Sequence, residues 1–245
     1  VNDEPPDLEP TTRDPESGAA SPDSSATGRF GLPPAPGGLR LAQDLVNTSL
    51  SAHQGKPELD HLADLPTASA WLQQALAGWS SATGKQAPDI SLQSRDLAPL
   101  RTLRERLRQS LRANAAHVPP TRPTGADDAA SSDIRLTLDT NGRIDYRSLA
   151  SGWRGVAALI SIEMLLAQAA GSRPRLKTCA LPACGACFHD GSPNQARVWH
   201  DTKLCGNGPN LRASRARRAS PRPLGQSEGT PLTITNHPGP GGQLP

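Results

Sequence analysis

The 245-residue chain is expected to be mainly α-helical: a helical N-terminal domain carrying one small β-hairpin, then a compact cysteine-rich module that ends in a basic helix. Three patterns carry that reading. Apolar residues recur at spacings of three and four over several separate stretches, the mark of one-sided helices. One stretch changes to alternate spacing around an Asn-Gly pair, the mark of a hairpin. All four cysteines, Cys179, Cys184, Cys187 and Cys205, fall inside one short segment.

In chain order, residues 1–38 are rich in Pro, Gly, Ser and acids and too poor in apolar residues to offset the entropy of ordering them, so they are expected to form a disordered tail. The folded part begins with "GLRLAQDLVNTSL", where Leu41, Leu45 and Val46 share a helical face. "LPTASAWLQQALAGW" places Trp71, Leu72, Ala75, Leu76 and Trp79 on one stripe, with Pro66 suited to the first turn. "DLAPLRTLRERLRQSLRANAA" buries Leu97, Leu100, Leu103, Leu107 and Leu111, leaving Arg101, Arg104, Arg108 and Arg112 largely on the opposite side. "VPPTRPTGADDAASS" is expected to be a flexible loop.

Ile134, Leu136 and Leu138 then alternate with polar residues, Asn141-Gly142 offers the positive dihedrals of a tight turn, and Ile144 and Tyr146 resume the alternation. A lone hairpin needs something to pack on. "WRGVAALISIEMLLAQAAG", Trp153 to Gly171, is apolar almost all round and is expected to be the central helix, with Gly171 closing it. Asp44 is assigned to an exposed face, and Asn47 to closing a helix or satisfying a loop. Residues 219–245 return to a Pro- and Gly-rich composition and are expected to be disordered. The resulting domains are 39–171, helical, and 172–218, cysteine-rich.

The net charge of +3 conceals an asymmetry: residues 172–222 hold ten Lys and Arg against Asp190 and Asp201, a net of +8, which leaves −5 for the remainder. A basic block beside an acidic remainder points to a polyanion, most simply nucleic acid. The N-terminus is acidic and polar, the reverse of a secretory signal, and no apolar run reaches membrane-spanning length. A cytoplasmic location without membrane partners follows, and it disfavours disulfides.

Four residues separate Cys179 from Cys184, fifteen separate Cys184 from His200, and four separate His200 from Cys205. Two close pairs of soft ligands joined by a longer loop is the layout of a structural zinc site. The expected ligands of one Zn2+ are Cys179, Cys184, His200 and Cys205, with Cys187 or His189 as alternatives for the histidine. A redox CxxC at Cys184–Cys187 would need a strand before it and a helix after it, but "FHDGSPN" is turn-rich. Cys187 with His189 as nucleophile and base lacks a group to orient the histidine. Metal binding supplies folding free energy that so short a segment lacks, with Phe188 and Trp199 as its small core. Beyond Cys205, Pro209 can open a helix on which Arg212, Arg215 and Arg218 span an arc of about 120°. Arginines on such a face pair with phosphates or read guanine edges.

The segment resembles the CGNR-type zinc fingers of bacterial proteins. Cys179, Cys184, Phe188, Asp190, Ser192, Asn194, Arg197, Trp199, Cys205, Gly206 and Asn207 stand at that family's offsets, followed by the basic run Arg212, Arg215, Arg217 and Arg218. Upstream, "LAQDLVNT" and "LADLPTASAWL" are similar to the opening of the ABATE domain that accompanies such fingers. Two positions depart from the pattern: His200 replaces the family's third cysteine, and Gly208 replaces the arginine of Cys-Gly-Asn-Arg. The resemblance implies a stress-induced transcriptional regulator that binds double-stranded DNA. Arg197, Lys203, Asn207, Arg212, Arg215, Arg217 and Arg218 are its expected DNA-contacting residues, and the N-terminal domain is expected to sense a ligand or form a homodimer. A zinc-stabilised protein-binding module without DNA binding is the alternative. No enzyme is expected, since paired carboxylates, a phosphate loop and an HExxH helix are all missing and four protein ligands leave zinc no open position.

Overall fold

The computed structural model describes residues 25–50, 59–115 and 133–208. Its hub is a short helix, α1 (Leu39–Val46), in which every residue except Arg40 is buried. Leu41, Leu45 and Val46 face the core as their spacing requires. The polar residues of this stretch are buried as well, so each needs an internal partner. Asp44 accepts from the Thr27 amide at 2.9 Å and from Trp71 Nε1 at 3.0 Å, which corrects its assignment to an exposed face. Gln43 Oε1 accepts from the Ala35 amide at 2.5 Å, and Gln43 Nε2 donates to the Pro33 carbonyl at 3.2 Å.

Those bonds also correct the expectation for residues 1–38. Residues 25–38 run along α1, with Ala26 and Ala35 buried. Composition misses this because the segment is held by backbone groups pinned to Asp44 and Gln43 and by Phe30 and Leu32, not by a dense apolar pattern. Residues 1–24, 51–58, 116–132 and 209–245, on which the expected tails and flexible loop fall, lie outside the described residues.

After α1 the chain forms a two-residue ladder, β1 (Ser49–Leu50) with β2 (Leu59–Asp60), and enters α2 (Leu65–Thr83). Asp64 caps α2 by accepting from the Thr67 amide at 2.9 Å, and Pro66 sits in its first turn. The stripe from Trp71 to Trp79 is buried, as its spacing indicates. Helix α3 (Leu97–Ala115) buries Leu97, Leu100 and Leu111 and packs Leu103 and Leu107 on the core. Three of its arginines, Arg101, Arg104 and Arg108, turn to internal partners, while Arg112 is exposed. Arg104 is buried and reaches Thr48 Oγ1 at 3.1 Å and both oxygens of Asp60 at 2.6 and 3.1 Å. Arg108 donates to the Val46 carbonyl at 2.7 Å and Arg101 to the Leu62 carbonyl at 2.9 Å. Arg108 answers a carbonyl at the end of α1, where helix geometry leaves acceptors open and favours positive charge; Arg101 answers one just after β2, and Arg104 pairs with the carboxylate of β2's Asp60.

The hairpin β3 (Ile134–Leu138) and β4 (Ile144–Ser148) pairs Leu136 with Tyr146 and Leu138 with Ile144. Its turn is wider than the sequence signal: Asp139 spans it by accepting from the Asn141 and Arg143 amides, and among its residues only Gly142 has a positive φ, 78°. Helix α4 (Gly152–Ala169) follows, closed by Ala170 with Gly171 at φ 68° just beyond. Glu163 interrupts the apolar run of α4 for a reason: it is buried and accepts from Trp79 Nε1 at 2.7 Å and the Tyr146 hydroxyl at 2.5 Å. Its carboxylate fills the space where a side chain at Gly38 would begin, so that glycine admits no replacement without displacing Glu163. α4 is largely buried, but α1 is the central element, in contact with α2, α3, α4 and the final hairpin.

That final hairpin, β5 (Leu176–Thr178) with β6 (Cys187–His189), lies against α3 and α1. Leu176 and Cys187 belong to the same apolar core as the helices. The chain up to Asn207 is one compact unit. Among the described residues no helix is long and apolar enough to cross a membrane.

Candidate metal centre

β5 delivers Cys179 at the end of the strand, and the Cys179 amide donates to the Ala186 carbonyl at 2.8 Å. The chain turns tightly between them: the Cys184 amide donates to the Leu181 carbonyl at 2.9 Å, and Gly185 takes φ 63°, a conformation that favours glycine. Cys179 and Cys184 are thereby placed on one knuckle. β6 then leads to Asp190, a buried carboxylate that organises the following loop. Asp190 accepts from the Ser192 amide at 3.0 Å, Ser192 Oγ at 2.6 Å and the Arg197 amide at 2.9 Å. It pairs with buried Lys177 at 2.9 Å, and Lys177 also donates to the carbonyls of Gln195 and Arg197. Burial works to raise the Asp190 pKa, but the bonds from Ser192 and Lys177 outweigh it and hold the group below the usual carboxylate range.

The loop returns at His200. A one-turn helix, Thr202–Gly206, capped by Asp201 accepting from the Leu204 amide at 2.9 Å, then carries Cys205 inward. A side chain at Gly206 would meet the Trp199 ring at 3.0 Å, so the glycine lets the indole close over this turn. One ligand atom each from Cys179, Cys184, His200 and Cys205 lies within 4.8 Å of all the others, and all four residues are buried.

The donor set fits zinc. Tetrahedral zinc with bonds of about 2.3 Å to sulfur and about 2.0 Å to nitrogen sets sulfur and nitrogen about 3.5 Å apart. His200 Nδ1 lies 3.3 Å from Cys184 Sγ and 3.5 Å from Cys205 Sγ. Electrostatics agree. Three sulfurs this close cannot all ionise without a cation. A hydrogen bond from Cys184 lowers the Cys179 pKa to about 4, so it carries the thiolate. Cys184 is pushed up by that same bond to Cys179 and by burial, and Cys205 is raised to about 11 by burial and the Cys179 charge. A divalent ion stabilises all three thiolates. The Cys3His group fits one structural zinc.

Cys187 and His189 are outside this group. Cys187 sits in the helical core, fully buried, its thiol pushed up by desolvation. Cys187 opens strand β6, which packs against α1. There Asn47 clamps it. The Cys187 amide donates to Asn47 Oδ1 at 2.8 Å, and Asn47 Nδ2 donates to the Cys187 carbonyl at 3.0 Å. The side-chain amide imitates a neighbouring strand. Asn47 does close α1, as expected, and it also joins that helix to the cysteine module.

Sequence reasoning missed the cover over the ligands. Phe30 and Leu32, assigned to the tail, pack on the cysteine cluster together with Leu181 and Trp199, and the Phe30 ring meets the His200 ring edge-on, centroids 6.2 Å apart. It also counted charges that the fold uses internally. Lys177 is buried against Asp190, Arg175 donates to the Asp190 and Ser192 carbonyls at 3.0 and 2.9 Å, and Arg173 donates to Ser110. Arg197 is exposed, but its guanidinium lies over Phe188 and donates to the His200 carbonyl at 2.5 Å. Lys203 and Asn207 are exposed. Arg212, Arg215, Arg217 and Arg218 fall outside the described residues.

A family model described as "Putative stress-induced transcription regulator", ABATE, matches residues 39–178, more than half of the chain. The chain belongs to the ABATE family. Residues 175–218 of this ABATE protein match the CGNR zinc finger. Both matching families are regulator or zinc-finger types. No curated protein is similar enough to the ABATE protein to count as a match.

Proposed function

We propose that this ABATE protein is a transcriptional regulator that binds double-stranded DNA through its C-terminal finger, with zinc held by Cys179, Cys184, His200 and Cys205. The observation that carries the reading is the buried Cys3His group immediately ahead of a run of arginines. Lys203, Asn207, Arg212, Arg215, Arg217 and Arg218 contact the duplex; Arg197 braces the finger and adds a phosphate contact. The organisation is a helical domain over 39–171, braced by residues 25–38, and a finger over 172–218. The helical domain senses a ligand or forms a homodimer, and the protein acts in the cytoplasm without enzymatic activity. When bound, zinc fixes the two ligand pairs against one another and holds the turn that carries Cys205 in place.

One observation favours a protein-binding module instead: Leu204, on the same turn as Lys203, is 56 % exposed. Duplex binding by the full zinc-loaded chain separates the two readings. Each phosphate contact contributes a slope of about −0.9 to log K against log salt. Replacing Arg212, Arg215, Arg217 and Arg218 together by Ala should flatten that slope by about 3 to 4. Affinity that does not change with salt, or with those four arginines, would transfer the function to the exposed leucine surface.

A further inference from the structure

The hairpin β3–β4 stands unusually bare. Leu136, Leu138 and Ile144 are 62 %, 71 % and 65 % exposed. Its two strands pair only with each other among the described residues. The β4 side is engaged: Lys85 bonds Asp145 and its ammonium lies 4.2 Å from the centre of the Tyr146 ring. The β3 side has no such cover among the described residues, and Arg135 makes no side-chain hydrogen bond or ion pair there.

The ladder fixes what that open edge offers. The Asp139 amide donates to the Arg143 carbonyl at 2.9 Å, and the Leu149 amide donates to the Asp133 carbonyl at 3.3 Å. Hydrogen-bonded pairs alternate along an antiparallel ladder, so Arg135 and Thr137 also bond inward to β4. The N–H and C=O groups of Ile134, Leu136 and Leu138 therefore point outward. An exposed edge with apolar side chains is a template for another strand.

The edge complements itself. A two-fold axis beside Thr137 sets Leu136 opposite the partner's Leu138, and their outward groups exchange two hydrogen bonds on each side of the axis. The same register sets Arg135 opposite the partner's Asp139. Axes beside Leu136 or Leu138 also match outward groups, but they oppose Arg135 with the partner's Thr137 or the partner's Asn141 and lose the ion pair. Charge thus selects one register. We infer that β3 is a homodimerisation edge, on which a second copy of this chain adds antiparallel about Thr137 to form a four-stranded sheet with Leu136 and Leu138 side by side along one face. This rests on the homodimer reading of the helical domain and identifies its surface; it also carries two fingers on one two-fold axis, the symmetry of a palindromic duplex.

The test uses the full zinc-loaded chain without DNA, so that its outcome is independent of duplex binding. Sedimentation should give twice the mass of one chain. Leu138→Pro removes an outward N–H and leaves the inner ladder intact; circular dichroism checks its fold, and its dimer dissociation constant should rise at least about tenfold. Thr137→Cys places two thiols about 4.5 Å apart at Cα across the axis, within disulfide reach. Under diamide it should become a covalent dimer, while Asp145→Cys on β4 should not. A wild-type chain that stays monomeric up to roughly 100 μM, well above the Kd range of specific interfaces, overturns the inference. So does a dimer that survives Leu138→Pro unchanged, or equal cross-linking of the two cysteine variants.

Discussion

Asn47 shows how much one side chain can decide. Its amide gives a buried strand residue, Cys187, the two hydrogen bonds that a neighbouring strand would otherwise supply. A buried donor or acceptor left without a partner costs about 1–3 kcal/mol. Asn47→Ala should therefore destabilise the zinc-loaded protein by about 2–5 kcal/mol in urea unfolding, and Asn47→Asp, which keeps the acceptor but sets a carboxylate against the Cys187 carbonyl, should not rescue it. Lys177 and Asp190 make a second such pair, both almost wholly buried. Removing one partner of a buried ion pair costs about 3–5 kcal/mol, so Lys177→Met should lower stability by that order. Near-neutral effects at either site would remove these residues from the frame of the finger. Neither role is legible in the sequence. Asn47 and Cys187 are 140 residues apart, and a lysine inside a basic block carries no mark of being buried. The ligands are legible because the covalent spacing of Cys179, Cys184, His200 and Cys205 is itself a chemical constraint.

Among the elements, the helices α2, α3 and α4 are readable because an apolar stripe at helical spacing can serve only one purpose at those lengths. The short α1 is readable as a helix but not as the hub, since its importance lies in polar residues whose partners come from residues 27, 35, 71 and 187. The knuckle and turn of the finger yield two predictions. His200→Ala should weaken zinc in a chelator competition, whereas Cys187→Ser and His189→Ala should keep one zinc per chain; loss of zinc from either of the latter would reassign the fourth ligand. Zinc binding must also release protons. In the metal-free cluster Cys184 and Cys205 are raised, Cys205 to about 11, and they become thiolates on metal binding. Apparent affinity should therefore climb as pH rises through the neutral range and fall as it drops, with proton uptake on chelation seen in a weakly buffered dye assay. A flat profile from pH 6 to 9, a span of about 3 units below Cys205's raised value, would deny the thiols that role.

At the scale of the whole molecule, the finger and the helical domain share a core rather than a linker. Leu176 and Cys187 pack with the helices, and Phe30 and Leu32 from the opposite end of the described chain cover the cysteines. Chelation should accordingly shift the thermal transition of the entire helical signal at 222 nm, and with it the fluorescence of Trp71 and Trp79, whose indoles are hydrogen-bonded inside that core. Two separate transitions, an early one for the finger and an unmoved one for the helices, would contradict a shared core. The clamp between α1 and β6 also bears on how the protein is made. A ribosome delivers residue 47 long before residue 187, so Asn47 at the end of the first helix waits through most of that interval for the Cys187 amide that its Oδ1 accepts. Nascent chains of this architecture therefore mature late, and the moment they capture their metal is also the moment their beginning becomes stable.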